Sequence, residues 1–100
     1  MVDREFFLGF IKIHILYHAA KSPIFGAEIA EELGSHGYAI GPGTLYPTLH
    51  RLEKEGYLTS TTRVVGGKAR KYYQATQEGR RVLEHSKKRI RELVGEVMEG

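Results

Sequence analysis

GPGTLYPTLHRLEKEGYL, residues 41–58, is the stretch that decides the fold. Leu45, Leu49 and Leu52 recur at i, i+4 and i+7, so they share one face of a helix. The opposite side carries Tyr46, Pro47, His50 and Lys54, with Arg51 on its flank, while Glu53 and Glu55 lie toward the apolar edge. Gly56 stops the helix and Tyr57-Leu58 opens an extended run. An apolar anchor under a polar, cationic outer face, followed at once by a strand, suits an element that reads a DNA groove. A solvated surface helix has the same amphipathicity, so the flanking sequence has to decide.

Downstream, TSTTRVV is β-branched and rich in hydroxyls, as strands are. Gly66-Gly67 signals a tight hairpin, and Lys68 to Thr76 returns as the second strand. A two-residue turn sets Arg63 opposite Arg70, a like-charge pair that is unfavourable unless an anion intervenes or the side chains splay apart. Of Tyr72 and Tyr73, alternation sends one into the core and the other toward the outer face. Thr76 reads as the N-cap of a last helix, with Glu78 in its first turn. Leu83, Ser86, Ile90, Leu93 and Val97 then follow a 3-4-3-4 spacing, the seam of a helix that packs on a partner helix.

Upstream, Gly41-Pro42 opens the reading helix, proline being suited to the first helical position. Pro47 removes a backbone bond, so an irregular start is expected there, without a break. GAEIAEELG forms a short helix with Ala27, Ile29, Ala30 and Leu33 inward and Gly34 just past its end. Tyr38 and Ile40 suggest a brief extended piece in the connection. The first helix, about 4–20, has Asp3 as its N-cap and ends at Lys21-Ser22-Pro23. It is apolar nearly all round, which a small domain has no depth to enclose; one face is therefore expected to pack on a second copy of the chain.

The chain order is helix, helix, helix, glycine-tipped hairpin, helix. The expected fold is mainly α with a small β-hairpin: a winged helix-turn-helix over residues 1–76, then a C-terminal dimerisation helix over 77–100. At 100 residues with 41% hydrophobic content, the chain suffices for one core. The net charge of +3 is unevenly placed. Residues 1–42 hold three basic against five acidic side chains, residues 43–81 eight against three, and residues 82–100 four against four. The excess sits with the reading helix and hairpin, which favours a polyanionic partner. Absence of cysteine excludes disulfides and thiolate metal sites. No apolar run reaches a membrane span and no cleavable signal is visible, so a soluble cytoplasmic protein is expected.

At residue level, Leu45 to Leu58 (LYPTLHRLEKEGYL) and Gly66 to Leu83 (GGKARKYYQATQEGRRVL) resemble the PadR-like transcriptional regulators, as does Phe25 to Leu33 (FGAEIAEEL). The short tail resembles the small subgroup with a single C-terminal helix. The resemblance implies a homodimeric repressor that leaves its double-stranded DNA operator when a small hydrophobic or aromatic effector, or another signal, arrives. It implies that Thr44, Tyr46 and Pro47 meet the major groove, and that Lys68, Arg70 and Lys71 of the wing hold phosphates. It also suggests an effector cavity near Phe6, Phe7, Phe10 and Tyr17, although an aromatic stripe at helical spacing more often marks plain interface. Ala27 stands where the family often has tyrosine, and Gln74-Ala75 replaces a more usual arginine-leucine pair.

Enzyme chemistry finds no support: there is no nucleophile with a base, no phosphate-binding glycine loop and no carboxylate pair in an apolar pocket. Gly66-Gly67-Lys68 lies in a hairpin, where a P-loop would enter a helix. His14 and His18 have a helical spacing able to hold zinc, but the sequence shows no third ligand beside them, so no metal is expected. A pH-sensitive dimer contact is the other use for that pair. The reading from a different class is a winged-helix module that binds another protein and has lost DNA contact.

Overall fold

Side chains of helical period alternate with two short β-branched runs, and the computed structural model, which describes residues 4–100, places them as α1 (Arg4–Lys21), β1 (Ile24–Phe25), α2 (Gly26–Ser35), α3 (Pro42–Lys54), β2 (Leu58–Val65), β3 (Lys68–Ala75) and α4 (Gln77–Glu99). Asp3, the expected first N-cap, lies outside the described residues. On α1, Ile11, Ile15, Leu16 and Ala19 are buried while Phe6, Phe10 and Tyr17 stay exposed. The helix therefore buries one face in its own domain and leaves an aromatic one uncovered. Leu45, Leu49 and Leu52 of α3 join the same core with Ile29, Leu33, Leu58, Tyr73 and Leu83.

Pro47 leaves α3 unbroken. The irregularity is confined to the first turn, where the Gly41 carbonyl accepts from both Thr44 N (3.1 Å) and Leu45 N (2.9 Å). Proline at 47 has no N–H to give the Gly43 carbonyl four residues earlier, so the one forfeited bond falls on the first turn of the helix. Two expectations for α2 need correction. Gly34 lies inside the helix, and the residue past its end is Gly37, with φ +88°. Gly37 N donates to the Gly34 carbonyl and Tyr38 N to the Leu33 carbonyl, a Schellman closure. Ala27 is exposed, and Gly26 takes the buried place.

The extended piece expected near Tyr38 and Ile40 is not a strand. Ile24-Phe25 instead pairs antiparallel with Tyr73 and Tyr72, so the sheet has three strands in the order β1-β3-β2. A two-residue strand carries no alternation to read; only its distant partner defines it. The hairpin has the expected register, with Arg63 opposite Arg70. Gly66 and Gly67 have φ of +58° and +79°, as a tight turn between twisted strands requires.

Thr76 locks the start of α4 onto the end of α3. Its hydroxyl accepts from Gly79 N (3.0 Å) and donates to the Gly56 carbonyl (2.6 Å), while its own N–H donates to the Tyr57 carbonyl. Leu83 is buried beneath α1, but Ile90, Leu93, Val94, Val97 and Met98 further along α4 are exposed. The architecture is a winged helix: α2 and α3 are the helix-turn-helix, β2 and β3 the wing, and α4 a long C-terminal helix. Among the described residues, no helix is long and apolar enough to cross a membrane.

Candidate nucleic-acid interface

The outer face of α3 is flanked by two clefts. Toward the wing, Tyr46 and His50 line a cleft of about 620 Å³ with Phe25, Lys68, Arg70 and Lys71. Toward α1, Thr44, Pro47 and Arg51 line another of about 380 Å³ together with Arg4 and Lys12. Lys54 is exposed and lines neither. Arg4 and Lys12 are cationic contributions that the sequence reading did not assign, because α1 reads as an apolar helix and its approach to α3 is tertiary.

Tyr46 is 49% exposed, and its ring lies over the start of α2. A Cβ at Gly26 would come within 2.7 Å of the hydroxyl end of that ring, so glycine there leaves room for the tyrosine against the helix start.

The like-charged pair on the wing rests on two aromatic rings. The Arg63 guanidinium lies 4.7 Å from the Tyr72 ring centroid, and that of Arg70 lies 4.6 Å from the Phe25 ring. Phe25 and Tyr72 meet edge to face at 5.4 Å. Each cation is thus held by a π face of its own, Arg63 of β2 over a ring of β3 and Arg70 of β3 over a ring of β1. Tyr73 is the buried member of the tyrosine pair, and Tyr72 is half-buried beside Arg63.

Lys71 is engaged within the protein. Its Nζ is 3.3 Å from a Glu53 oxygen, linking β3 to α3. Ser60 on β2 donates to the other oxygen of the same carboxylate. The Ser60 hydroxyl, and then Lys71, hold the Glu53 carboxyl below its ordinary value of 4.5, while Glu53 raises the Lys71 ammonium. A carboxyl that ionises more readily folded than unfolded adds stability above its ordinary value, and that stability is lost as pH falls below about 4.5. Replacing Ser60 with alanine is therefore expected to move the Glu53 carboxyl up toward 4.5 and to flatten the acid loss of stability. NMR titration of the Glu53 carboxyl with urea unfolding at neutral and acid pH checks this; identical titrations in both proteins would rule out the serine as the cause.

Of the residues expected at a subunit contact, Phe6, Phe10, Ile90 and Leu93 converge in one apolar groove of about 440 Å³ between α1 and α4. Phe7 instead turns to meet Tyr38 edge to face at 5.2 Å, Leu83 is core, and Val97 is exposed further out. Tyr17 lines a separate cleft with His14, His18 and His36. His36 is the third imidazole that the spacing of His14 and His18 did not reveal. It comes from the end of α2, and no periodicity links it to α1.

Residues 15–85 match the Transcriptional regulator PadR-like family. The chain is 50% identical over 97 residues to Transcriptional regulator Rv3488 of Mycobacterium tuberculosis, covering 97% of this chain and 91% of that protein. Among solved structures, a PadR family transcriptional regulator from Eggerthella lenta superposes with a TM-score of 0.81 at 35% identity, covering 91% of this chain and 80% of the other. A PadR-like transcription factor from Bacteroides fragilis gives 0.83 at 27% identity, covering 95% and 93%.

Proposed function

Since this chain belongs to the PadR-like family of transcriptional regulators, we propose that it acts as a homodimeric repressor bound to a pseudo-palindromic double-stranded DNA operator. The observation that carries this reading is the wing-side cleft. It brings Tyr46 and His50 of α3 together with Lys68, Arg70 and Lys71 of the wing, and no carboxylate is among its lining residues. Exposed donors above an apolar anchor fit base edges in the major groove, and the wing cations fit the flanking phosphates. On the other flank of the same helix, Thr44, Pro47 and Arg51 line a cleft with Arg4, Lys12 and the Glu5 carboxylate, three cations against one acid.

Dimerisation is proposed through α1 and α4. Phe6 is 68% exposed, Leu93 58% and Val97 66%, and they form an apolar surface that water alone covers poorly. A second copy of the two helices would bury it and set two reading helices at a fixed spacing, as a two-fold operator requires. The groove between Phe6, Phe10, Ile90 and Leu93 would take a small hydrophobic or aromatic effector at that interface.

The test titrates the protein into labelled DNA from its own upstream region and into a scrambled duplex, at two salt concentrations, with light scattering on the free protein. Tight, salt-sensitive preference for the upstream DNA by a dimer is expected. Leu93→Glu is expected to yield monomers that bind at least tenfold more weakly, because one half-site is lost. Absence of binding to either duplex at low salt would favour the protein-binding module instead.

A further inference from the structure

His14 and His18 stand one turn apart on α1, and the fold carries His36 from the end of α2 onto the same spot. Their ligand-capable nitrogens lie within 4.8 Å of one another. From this juxtaposition we propose that the protein binds a zinc-class divalent cation through the imidazoles of His14, His18 and His36. The inference stands on this geometry alone and is independent of the DNA-binding reading.

The backbone under each ligand is fixed. His14 and His18 sit in the middle of an 18-residue helix whose other face is core. His36 caps α2 within the Schellman closure made by Gly37 and Tyr38. Its ring stacks on that of His14 with centroids 4.8 Å apart, and the Tyr38 ring meets the edge of His14 at 5.2 Å. To share one ion, the ring nitrogens have to draw in from their present separations of up to 4.8 Å. Zinc–nitrogen bonds near 2.0–2.1 Å place tetrahedral ligand atoms about 3.4 Å apart.

Packing alone does not account for this arrangement. The Nε2 atom of His18 is buried and has no hydrogen-bond partner. The nearest carboxylate, Glu32 Oε2, is 3.8 Å away, beyond hydrogen-bond reach. Buried polar atoms otherwise find partners, and a ring nitrogen left without one beside two further imidazoles has a lone pair to give to a cation. Ile13, Tyr17 and Leu83 supply apolar walls to the cleft that holds the three rings. Lys87 also lines it, but its ammonium is paired with Glu84 at 2.9 Å.

The donor set selects the ion class. Three imidazoles without a thiolate suit Zn²⁺, Ni²⁺, Co²⁺ or Cu²⁺, whereas Mg²⁺ and Ca²⁺ prefer oxygen cages. Glu32 is positioned to offset part of the ion's charge and to offer an oxygen beside His18. A bound ion would join α1 to the end of α2, which leads into the turn before α3.

The experiment uses the full chain without a polyhistidine tag, stripped of metal and titrated calorimetrically with ZnCl₂ alone. One ion per chain at micromolar affinity or tighter is expected, with a rise in the unfolding temperature. Co²⁺ in its place should give the intense visible bands of tetrahedral coordination. His36→Ala, at an exposed position, and His18→Ala should each weaken binding at least tenfold, while His50→Ala and His85→Ala should leave it unchanged. Circular dichroism verifies that each variant is folded, and His36→Ala suffices should His18→Ala fail to fold. Substoichiometric binding by the wild type, or binding unaffected by His36→Ala, would overturn the proposal.

Discussion

Replacing Lys68, Arg70 and Lys71 together with alanine is expected to weaken binding to every DNA sequence alike, by about a hundredfold near physiological salt. Each phosphate contact releases about 0.9 counterion, so the slope of log affinity against log salt should become shallower by about 2 to 3. The three side chains do not contribute equally. Lys71 already has Glu53 at 3.3 Å and must exchange that partner for a phosphate. Arg70 is oriented by the Phe25 ring, and Lys68 sits beside the turn without such a brace. Lys71→Ala alone should therefore move the slope least, and Lys68→Ala or Arg70→Ala more. Tyr46→Ala is expected to behave differently: the ratio of operator to scrambled affinity falls about tenfold, with the salt slope unchanged, because a base-edge contact carries sequence preference and little charge. Fluorescence anisotropy at several salt concentrations reads both quantities. A triple variant that binds as tightly as wild type would remove the wing from the interface.

Gly79→Ala should destabilise the protein by about 2–3 kcal/mol, although alanine in a helix ordinarily stabilises relative to glycine. A Cβ at Gly79 would stand 2.1 Å from the Tyr57 carbonyl oxygen. That oxygen cannot yield, because it accepts the Thr76 N–H that seats α4. The threonine and the glycine three residues later thus form one device: the hydroxyl caps the helix, and the missing side chain lets the backbone of the wing's base lie against it. For a chain of this size the midpoint of thermal unfolding should fall by about 10–20 °C. Gly34→Ala is the control. Nothing lies within 4 Å of a Cβ there, so it should gain about 0.5–1 kcal/mol. Both are to be compared at one protein concentration, since association shifts apparent stability. If Gly79→Ala proved neutral, α4 would have to pivot freely on the wing, contrary to the hydrogen bonds at Thr76.

Much of this molecule was legible along the chain because it depends on neighbours a few residues apart. The leucine stripe of α3, the Thr76 cap, the Gly66-Gly67 turn and the pairing of Arg63 with Arg70 all follow from helical period, local hydrogen bonding or the two-residue arithmetic of a hairpin. The outward set of α3 and the basic wing followed for the same reason: once an element's face is known, its remaining side chains must point to solvent. The misplacements at Gly34 and Ala27 are shifts at helix ends, where fraying and closure compete within one turn.

The tertiary structure decided what depends on residues far apart in the chain. β1 exists only because Tyr72 and Tyr73 pair with it. Only the packed sheet shows that Arg63 and Arg70 rest on aromatic rings, and that Lys71 is held by Glu53 before any ligand arrives. Arg4 and Lys12 reach the flank of α3 across the domain, and His36 joins His14 and His18 from the end of another helix. Sequence period determines which way a side chain points from its own backbone. Which other side chain it meets depends on how whole elements pack, and that is set by the summed burial of the core, not by any local pattern.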